Sequence, residues 1–446
     1  MYFCILFYIA MSERIYIETY GCQMNFADSE VVGAILCEAG YTLANSVEEA
    51  GFVLINTCAI RDNAEQRVRH RVRELRALQS RQRQLRIGIL GCMAERLQSR
   101  LMVEEDNVSF VCGPDSYRRL PDLLHQVRNG RHSAAVDFSA TETYADIEPV
   151  RIASNGISSY ISIMRGCQNY CSYCVVPYTR GRERSRDPQT VVREARSLFD
   201  EGYREVTLLG QNVNSYSWQE VGFPDLMDSV ATLNPMLRVR FATSHPKDLS
   251  DDLLKVMARH PNICRCIHLP VQSGSNRMLK RMNRKYTVEW YLDRVDAIHY
   301  FLPDCSITTD VIAGFCGETE EDHRATLDLF RRVRYDYAYM FKYSEREGTF
   351  AARHMPDDIP DEVKIRRLNE IIALQGEIAL ENNQQEVGRE YEVLVEGESH
   401  RNKEQLFGRN TQNKVLVFDR CDAVPGTYRM VRVLRCTAAT LIGELV

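Results

Sequence analysis

No apolar run in this sequence is long enough to cross a bilayer. The nearest approach is Met1–Ala10 (MYFCILFYIA), which also lacks a basic start and a small-residue cleavage site. Met11, followed by Ser-Glu-Arg, reads as a plausible true start, and the first ten residues as a start-site artefact; a short membrane-peripheral tail is the lesser reading. The expectation is a cytoplasmic protein with no membrane partner. Excess positive charge is missing too. The net charge is -5, so any nucleic-acid surface has to be local. Cysteine, by contrast, is abundant. There are 15, an odd number, and several, such as Cys37, sit inside apolar periodic segments. That usage points to a reducing compartment, with some thiols acting as ligands and others inert in cores. A hydrophobic content of 44% and a charged content of 26% suit a globular enzyme of two to four domains.

The densest chemistry lies in Arg165-Gly166-Cys167-Gln168-Asn169-Tyr170-Cys171-Ser172-Tyr173-Cys174. No second C-x-x-C knuckle stands nearby, which argues against a four-ligand structural zinc site. A disulfide framework suits short secreted chains, not one of 446 residues. Three thiolates spaced C-x3-C-x2-C can hold three corners of a four-iron cluster and leave one iron open to a small molecule. The motif follows a strand-like run, Tyr160–Met164, and has an aromatic residue, Tyr173, before its third cysteine. In all these respects it resembles the signature of the radical S-adenosylmethionine (SAM) superfamily.

The chain divides into segments. Residues 12–135 alternate strands (14–19, 52–56, 87–90, 108–111) with helices (28–39 and 63–84), which implies βα units and a parallel sheet. Cys22, Cys58 and Cys92 each lie just past one of these strands. Ligands bind beyond the carboxyl ends of strands in open α/β sheets, so the three thiols could meet at one rim. They could equally be inert buried thiols. Cys112 follows the fourth strand and obeys the same rule, so geometry alone does not choose among the four. Residues 136–154 read as a linker. Residues 155–345 carry six strand–helix units, with strands starting near Tyr160, Val206, Val239, Ile267, Ile307 and Ala338; a charged helix follows at 361–384, and the domain is taken as 155–380. Six units predict a partial (β/α)6 barrel with its chemistry at the carboxyl-end face. Residues 381–446 change to period-two alternation around Tyr391–Val395, Val415–Phe418 and Tyr428–Val433, which predicts a small all-β barrel.

Four strings make the likeness specific: Thr19-Tyr20-Gly21-Cys22-Gln23-Met24-Asn25, Asn56-Thr57-Cys58-Ala59-Ile60-Arg61, Leu90-Gly91-Cys92-Met93-Ala94, and Ser162–Cys167 continuing through Pro177–Arg186. Together they resemble the methylthiotransferase family, specifically the branch that acts on isopentenylated tRNA, over almost the whole chain after Met11. The resemblance implies an N-terminal auxiliary-cluster domain, a radical SAM domain and a C-terminal TRAM domain. It implies two [4Fe-4S] clusters, one on Cys22, Cys58 and Cys92 and one on Cys167, Cys171 and Cys174. Two SAM molecules are implied, one a methyl donor and one a radical source, with CH3–S inserted at C2 of N6-isopentenyladenosine at tRNA position 37. The implied partners are a tRNA anticodon stem-loop and an electron donor such as a flavodoxin-type protein.

The same resemblance suggests SAM contacts at Tyr173, Gly210, Gln211, Ser244, Gln272, Ile312 and Gly314, although Gly314 and Gly317 also read simply as a strand-end turn. Cys316 is a departure, because relatives usually carry proline there. Sibling enzymes of the family act on threonylcarbamoyladenosine in tRNA or on a ribosomal-protein aspartate. A non-enzymatic iron–sulfur RNA sensor is the alternative of another class. Residues 61–86 hold nine arginines, and Arg165, Arg180, Arg182, Arg184 and Arg186 surround the second motif. Such runs are usually solvated faces. Their place beside both cysteine motifs makes Arg61, Arg67, Arg180, Arg182, Arg184 and Arg186 candidate phosphate contacts.

Overall fold

A computed structural model describes residues 13–58, 62–152, 154–399 and 401–446. Met1–Ala10, Met11 and Arg61, to which the sequence attached a start-site reading and a phosphate contact, lie outside the described residues. The chain forms two compact units, one of residues 1–153, 164–168 and 174–186, the other of residues 154–163, 169–173 and 187–446.

The first unit is built on a six-stranded parallel sheet. Its central strands are Arg14–Tyr20, Phe52–Thr57, Arg86–Gly91 and Val108–Cys112, each within a residue of its expected bounds. Two short edge strands, Thr42–Leu43 and Ser133–Ala135, complete it. Both are too short to leave a periodic trace. Strands 52–57 and 108–112 are buried throughout, as expected of parallel strands with both faces covered. One face packs Ile15, Leu54 and Phe110 against Val32, Leu36 and Leu124, and the other packs Val53, Ile55 and Ile89 against Val68, Val72 and Leu75. The helix expected at 28–39 begins earlier, at Gln23, and runs to Glu38. Asn25 explains the early start. Its Oδ1 accepts from the Cys22 backbone N–H (3.3 Å), while its own N–H donates to the Cys22 carbonyl (2.9 Å). The chain is thus capped into the helix directly after the cysteine.

In the second unit the six barrel strands are Ser158–Ser162, Glu205–Leu209, Arg238–Ala242, Cys266–His268, Ser306–Ala313 and Tyr337–Lys342. They form two parallel three-stranded arcs, ordered 238–242, 205–209, 158–162 and 266–268, 306–313, 337–342. A parallel bridge from Val239 to Ile263 connects the arcs. Helix Asp361–Gln384 has its expected bounds and leads into a closed five-stranded barrel. That barrel adds Gln405–Arg409 and Leu441–Leu445 to the three anticipated strands. Gly408 and Gly443 break the side-chain alternation in these two. A Cβ at Gly443 would press on the Arg432 carbonyl, a close approach that excludes any larger residue.

The small barrel is seated against the amino ends of the (β/α) strands. Arg238, 3% exposed, donates to the carbonyls of Arg409 (2.7 Å) and Glu392 (2.9 Å), and its guanidinium lies 4.8 Å from the centre of the Tyr428 ring. The Tyr428 hydroxyl donates to the carbonyls of Arg204 and Met236, just ahead of two barrel strands. Lys414 pairs with Asp336 (3.1 Å) ahead of a third. We expect Arg238→Ala, which strips donors from buried carbonyls, to destabilise this seat by about 1–3 kcal/mol. Limited proteolysis should then release the region after residue 384 faster than in the unaltered protein.

Candidate metal centre and cofactor rim

Parallel register sets the first site. Tyr20 pairs with Thr57, and Thr57 with Gly91, so three adjacent strands end level. Cys58 and Cys92 are the next residues along, and Cys22 is two residues past its strand. Gly21 (φ +127°) makes this approach possible, because a Cβ there would lie 2.6 Å from the Cys58 Cβ. The pKa of the Cys22 thiol is lowered to about 6, first by a hydrogen bond from Cys58, with the Arg180 charge adding to it. Complete burial instead raises that of Cys92. Cys112 separates from the other three. It pairs with Leu90, two residues short of Cys92, and lies in the apolar cluster with Tyr117 and Leu120. Its Sγ is turned to the Gly113 carbonyl, and burial pushes its pKa far up.

Buried polar side chains brace these strand ends. Asn25 Nδ2 donates to Asn56 Oδ1 (3.1 Å), and Asn56 Nδ2 donates to the Asn25 carbonyl and to Ser29 Oγ (both 3.0 Å). Beneath them Asp28, fully buried, accepts from Arg165 and from Arg180 Nη2 (2.7 Å), while Arg180 Nε points at Cys92 Sγ (3.1 Å). Val175, the residue after Cys174, packs on Cys92. The sequence alone assigned no bracing role to Asn25, Asn56 or Asp28. A signal was present, since Asn25 and Asn56 are polar positions inside otherwise apolar frames beside two of the cysteines.

The C-x3-C-x2-C motif is held from both flanks. Met164-Arg165 pairs antiparallel with Arg184-Ser185, and the Cys167 N–H donates to the Gly181 carbonyl (3.1 Å). Cys167 and Cys174 belong to the first unit, Cys171 and Tyr173 to the second. In the second unit Arg284, 8% exposed, donates to Cys171 Sγ at 3.4 Å. Ser172 is anchored at both backbone groups, donating to the Met282 carbonyl and accepting from the Ala351 N–H. Tyr173 meets Phe315 edge-on at 6.2 Å.

The remaining cofactor candidates lie at the carboxyl ends of the barrel strands. Gly210 directly follows strand 205–209, Ser244 follows 238–242, and Gln272 bridges to Val311 beside Ile312 and Gly314. At this rim Thr243 (φ +72°) and Gln272 (φ +73°) hold left-handed backbone without being glycine. Gly314 (φ +73°) donates its N–H to Glu318 (2.8 Å), so its turn role is evident. Ser244 Oγ, His245 Nε2 and both side-chain amide atoms of Asn214 are buried without a hydrogen-bond partner among the described residues. Burial, helped by Arg284 and Lys247, pushes the His245 pKa down to about 2, so the ring stays neutral. Unsatisfied neutral donors and acceptors fit a polar ligand at this rim. Cys22, Cys58 and Cys92 share the other rim, although among the described residues no group of three or more His, Cys, Asp or Glu side chains is placed to hold a metal ion. Cys316 is buried with Phe315 and Tyr343, in a cluster against which Tyr173 and Ile312 pack.

The arginines need correction. Arg180, Arg184 and Arg186 are buried (3%, 7% and 6% exposed). Arg180 is committed to Asp28 and Cys92, and Arg184 to Asp115 (2.6 Å) and the Arg180 carbonyl (3.0 Å). Internal partners therefore occupy Arg180 and Arg184, leaving them no free donors on a surface to offer phosphate. Arg182 and Arg67 are exposed, Arg67 near the Tyr20 ring. On helix Asp62–Arg81, Arg69, Arg71, Arg73 and Arg76 pair with Glu104, Glu18, Glu105 and Asp106, acids that come from other segments. Among the described residues, no helix is long and apolar enough to cross a membrane.

Comparison with known proteins agrees with this layout. Residues 14–113 match the uncharacterised protein family UPF0004, residues 161–330 the radical SAM superfamily, and residues 384–446 the TRAM domain. The chain is 54% identical over 438 residues to a tRNA-2-methylthio-N(6)-dimethylallyladenosine synthase of Phocaeicola vulgatus, covering 97% of this chain and 96% of that one. A protein of the same name from Porphyromonas gingivalis is 52% identical, with 97% and 95% covered. Among solved structures, the radical S-adenosylmethionine methyltransferase TsrM of Kitasatospora setae shares the fold, with a TM-score of 0.56 at 14% identity over 74% of this chain and 72% of that one. The chain belongs to the tRNA-2-methylthio-N(6)-dimethylallyladenosine synthase family.

Proposed function

We propose that the protein inserts a methylthio group at C2 of N6-isopentenyladenosine at position 37 of tRNA, consuming two SAM molecules, one as methyl donor and one as radical source. The convergence of Cys22, Cys58 and Cys92 on one sheet rim carries this reading, because radical chemistry alone needs only the other triplet. Cys22, Cys58 and Cys92 would hold one [4Fe-4S] cluster, and Cys167, Cys171 and Cys174 a second. Together these cofactors supply the electron, the radical and the sulfur site that an inert aromatic C–H bond requires. In this reading residues 12–135 form the auxiliary-cluster domain, 136–154 a linker, 155–380 the radical SAM domain and 381–446 the TRAM domain.

The chain's own residues bind and orient. Ser244, Asn214 and Gln272 would take the polar groups of SAM, with Gly210, Gln211, Ile312 and Gly314 lining its path and Tyr173 packing beside it. Arg284 would orient the Cys171 sulfur through its charged hydrogen bond. The neutral His245 offers a hydrogen bond but no proton transfer. An anticodon loop is already single-stranded, so moving the base into a pocket costs less than in a duplex. Arg67, Arg182 and Arg61 would contact its phosphates, and a flavodoxin-type protein would deliver electrons in the cytoplasm.

Three outcomes test the assignment. With SAM, reductant and an isopentenylated anticodon stem-loop, the reconstituted protein should form 5'-deoxyadenosine and methylthiolated RNA, both detected by mass spectrometry; threonylcarbamoyladenosine RNA should stay unmodified. Ser244→Ala should weaken SAM binding by about tenfold, or 1.4 kcal/mol, in calorimetry. In the metal-free protein, alkylation of Cys22 by iodoacetamide should rise through a midpoint near pH 6, following thiolate formation, whereas Cys112 should stay unlabelled until unfolding.

A further inference from the structure

The charges behind the first cysteine set do not balance. Asp28 is fully buried and carries one negative charge, yet it faces two guanidinia, Arg165 (2% exposed) and Arg180 (3% exposed). Tyr117, which donates to Asp28 at 3.4 Å, is kept neutral by burial and adds no charge. Arg165 Nε and Nη1 and Arg180 Nη1 have no acceptor among the described residues, although the Tyr144 ring lies under Arg165 at 4.6 Å. Asp28 can accept from one guanidinium on each oxygen, but the second buried cation, with its idle donors, is costly. The excess becomes favourable only beside an anion. The nearest sulfur is Cys92 Sγ, 3.1 Å from Arg180 Nε.

We propose that Asp28, Arg165 and Arg180 form a buried charge set that fixes the reduction potential of the centre held by Cys22, Cys58 and Cys92. The proposal rests on the reading that these cysteines ligate a cluster. Three thiolates on an oxidised four-iron core give a monoanion, and one added electron gives a dianion with no bond made or broken. A fixed positive charge in a low-dielectric interior favours the dianion more, so it raises the potential. Arg180 acts on the sulfur directly. Asp28 is a positioning residue: it aims the Arg180 fork and offsets part of its charge.

The test uses the full-length chain carrying Cys167→Ala, Cys171→Ala and Cys174→Ala, reconstituted anaerobically and titrated with dithionite under paramagnetic-resonance detection. Added to that background, Arg180→Gln should lower the midpoint potential and Asp28→Asn should raise it, each by a tenfold change in the reduction equilibrium, about 59 mV for one electron. Arg180→Lys, which keeps the charge, should shift it less. A merely structural role predicts no such opposition of sign. Shifts in the same direction, or none, with iron and sulfide at the parent level overturn the proposal alone. A folded parent without iron overturns it together with the cluster reading. If Arg180→Gln fails to take up iron, the Asp28→Asn value decides, a rise supporting the proposal and anything else overturning it.

Discussion

Level strand ends are the constraint on which the first unit's chemistry depends. Hydrogen bonding between parallel strands locks Tyr20, Thr57 and Gly91 into one row, and neighbouring strands stand only about 5 Å apart. Whatever follows that row is delivered to a common edge, however far apart it lies in the chain. A one-residue slip in strand 52–57 would turn Cys58 toward the opposite layer. The packing of Val53 and Ile55 on one side and Leu54 on the other resists such a slip, because each apolar side chain would exchange its layer. The hydrophobic core therefore acts as the alignment device for the sulfurs.

Polar side chains take over where the strands stop. Asn56, near the end of strand 52–57, is tied to Asn25 in the first turn of helix 23–38, so the helix that follows Cys22 is pinned to the neighbouring strand. The barrel rim is built differently. Its buried Ser244 hydroxyl and Asn214 amide are unsatisfied among the described residues, and Thr243 and Gln272 sit in strained backbone. Unmet polar groups together with local strain mark a surface shaped for something other than its own stability.

Most of the architecture could be read in the sequence because it is repetitive. Strands 14–20, 52–57, 86–91 and 108–112 and the six barrel strands are short apolar or alternating runs, and helix 361–384 has a clear proline boundary. Edge strands 42–43 and 133–135 escaped because two or three residues hold no period. Strands 405–409 and 441–445 escaped because Gly408 and Gly443 interrupt theirs. For the site, spacing located the cysteines but could not separate Cys112 from Cys92; only the register and the side-chain layer do that. The arginines misled for a related reason. Charge along a sequence does not reveal partners supplied from elsewhere, and Asp28, Asp115, Glu18 and Glu104 are all distant from the guanidinia they neutralise.

The seat of the C-terminal barrel sets a length scale. Tyr428, Arg238 and Lys414 fix it under the amino ends of the barrel strands, opposite the rim that carries Gly210 and Ser244. The longest of those strands, Ser306–Ala313, has eight residues and so stretches about 26 Å from floor to rim. A nucleic acid touching both levels must reach at least that far, several nucleotides along its backbone. A lone nucleoside never could. A molecule that meets both the small barrel and the carboxyl-end rim must be at least this long.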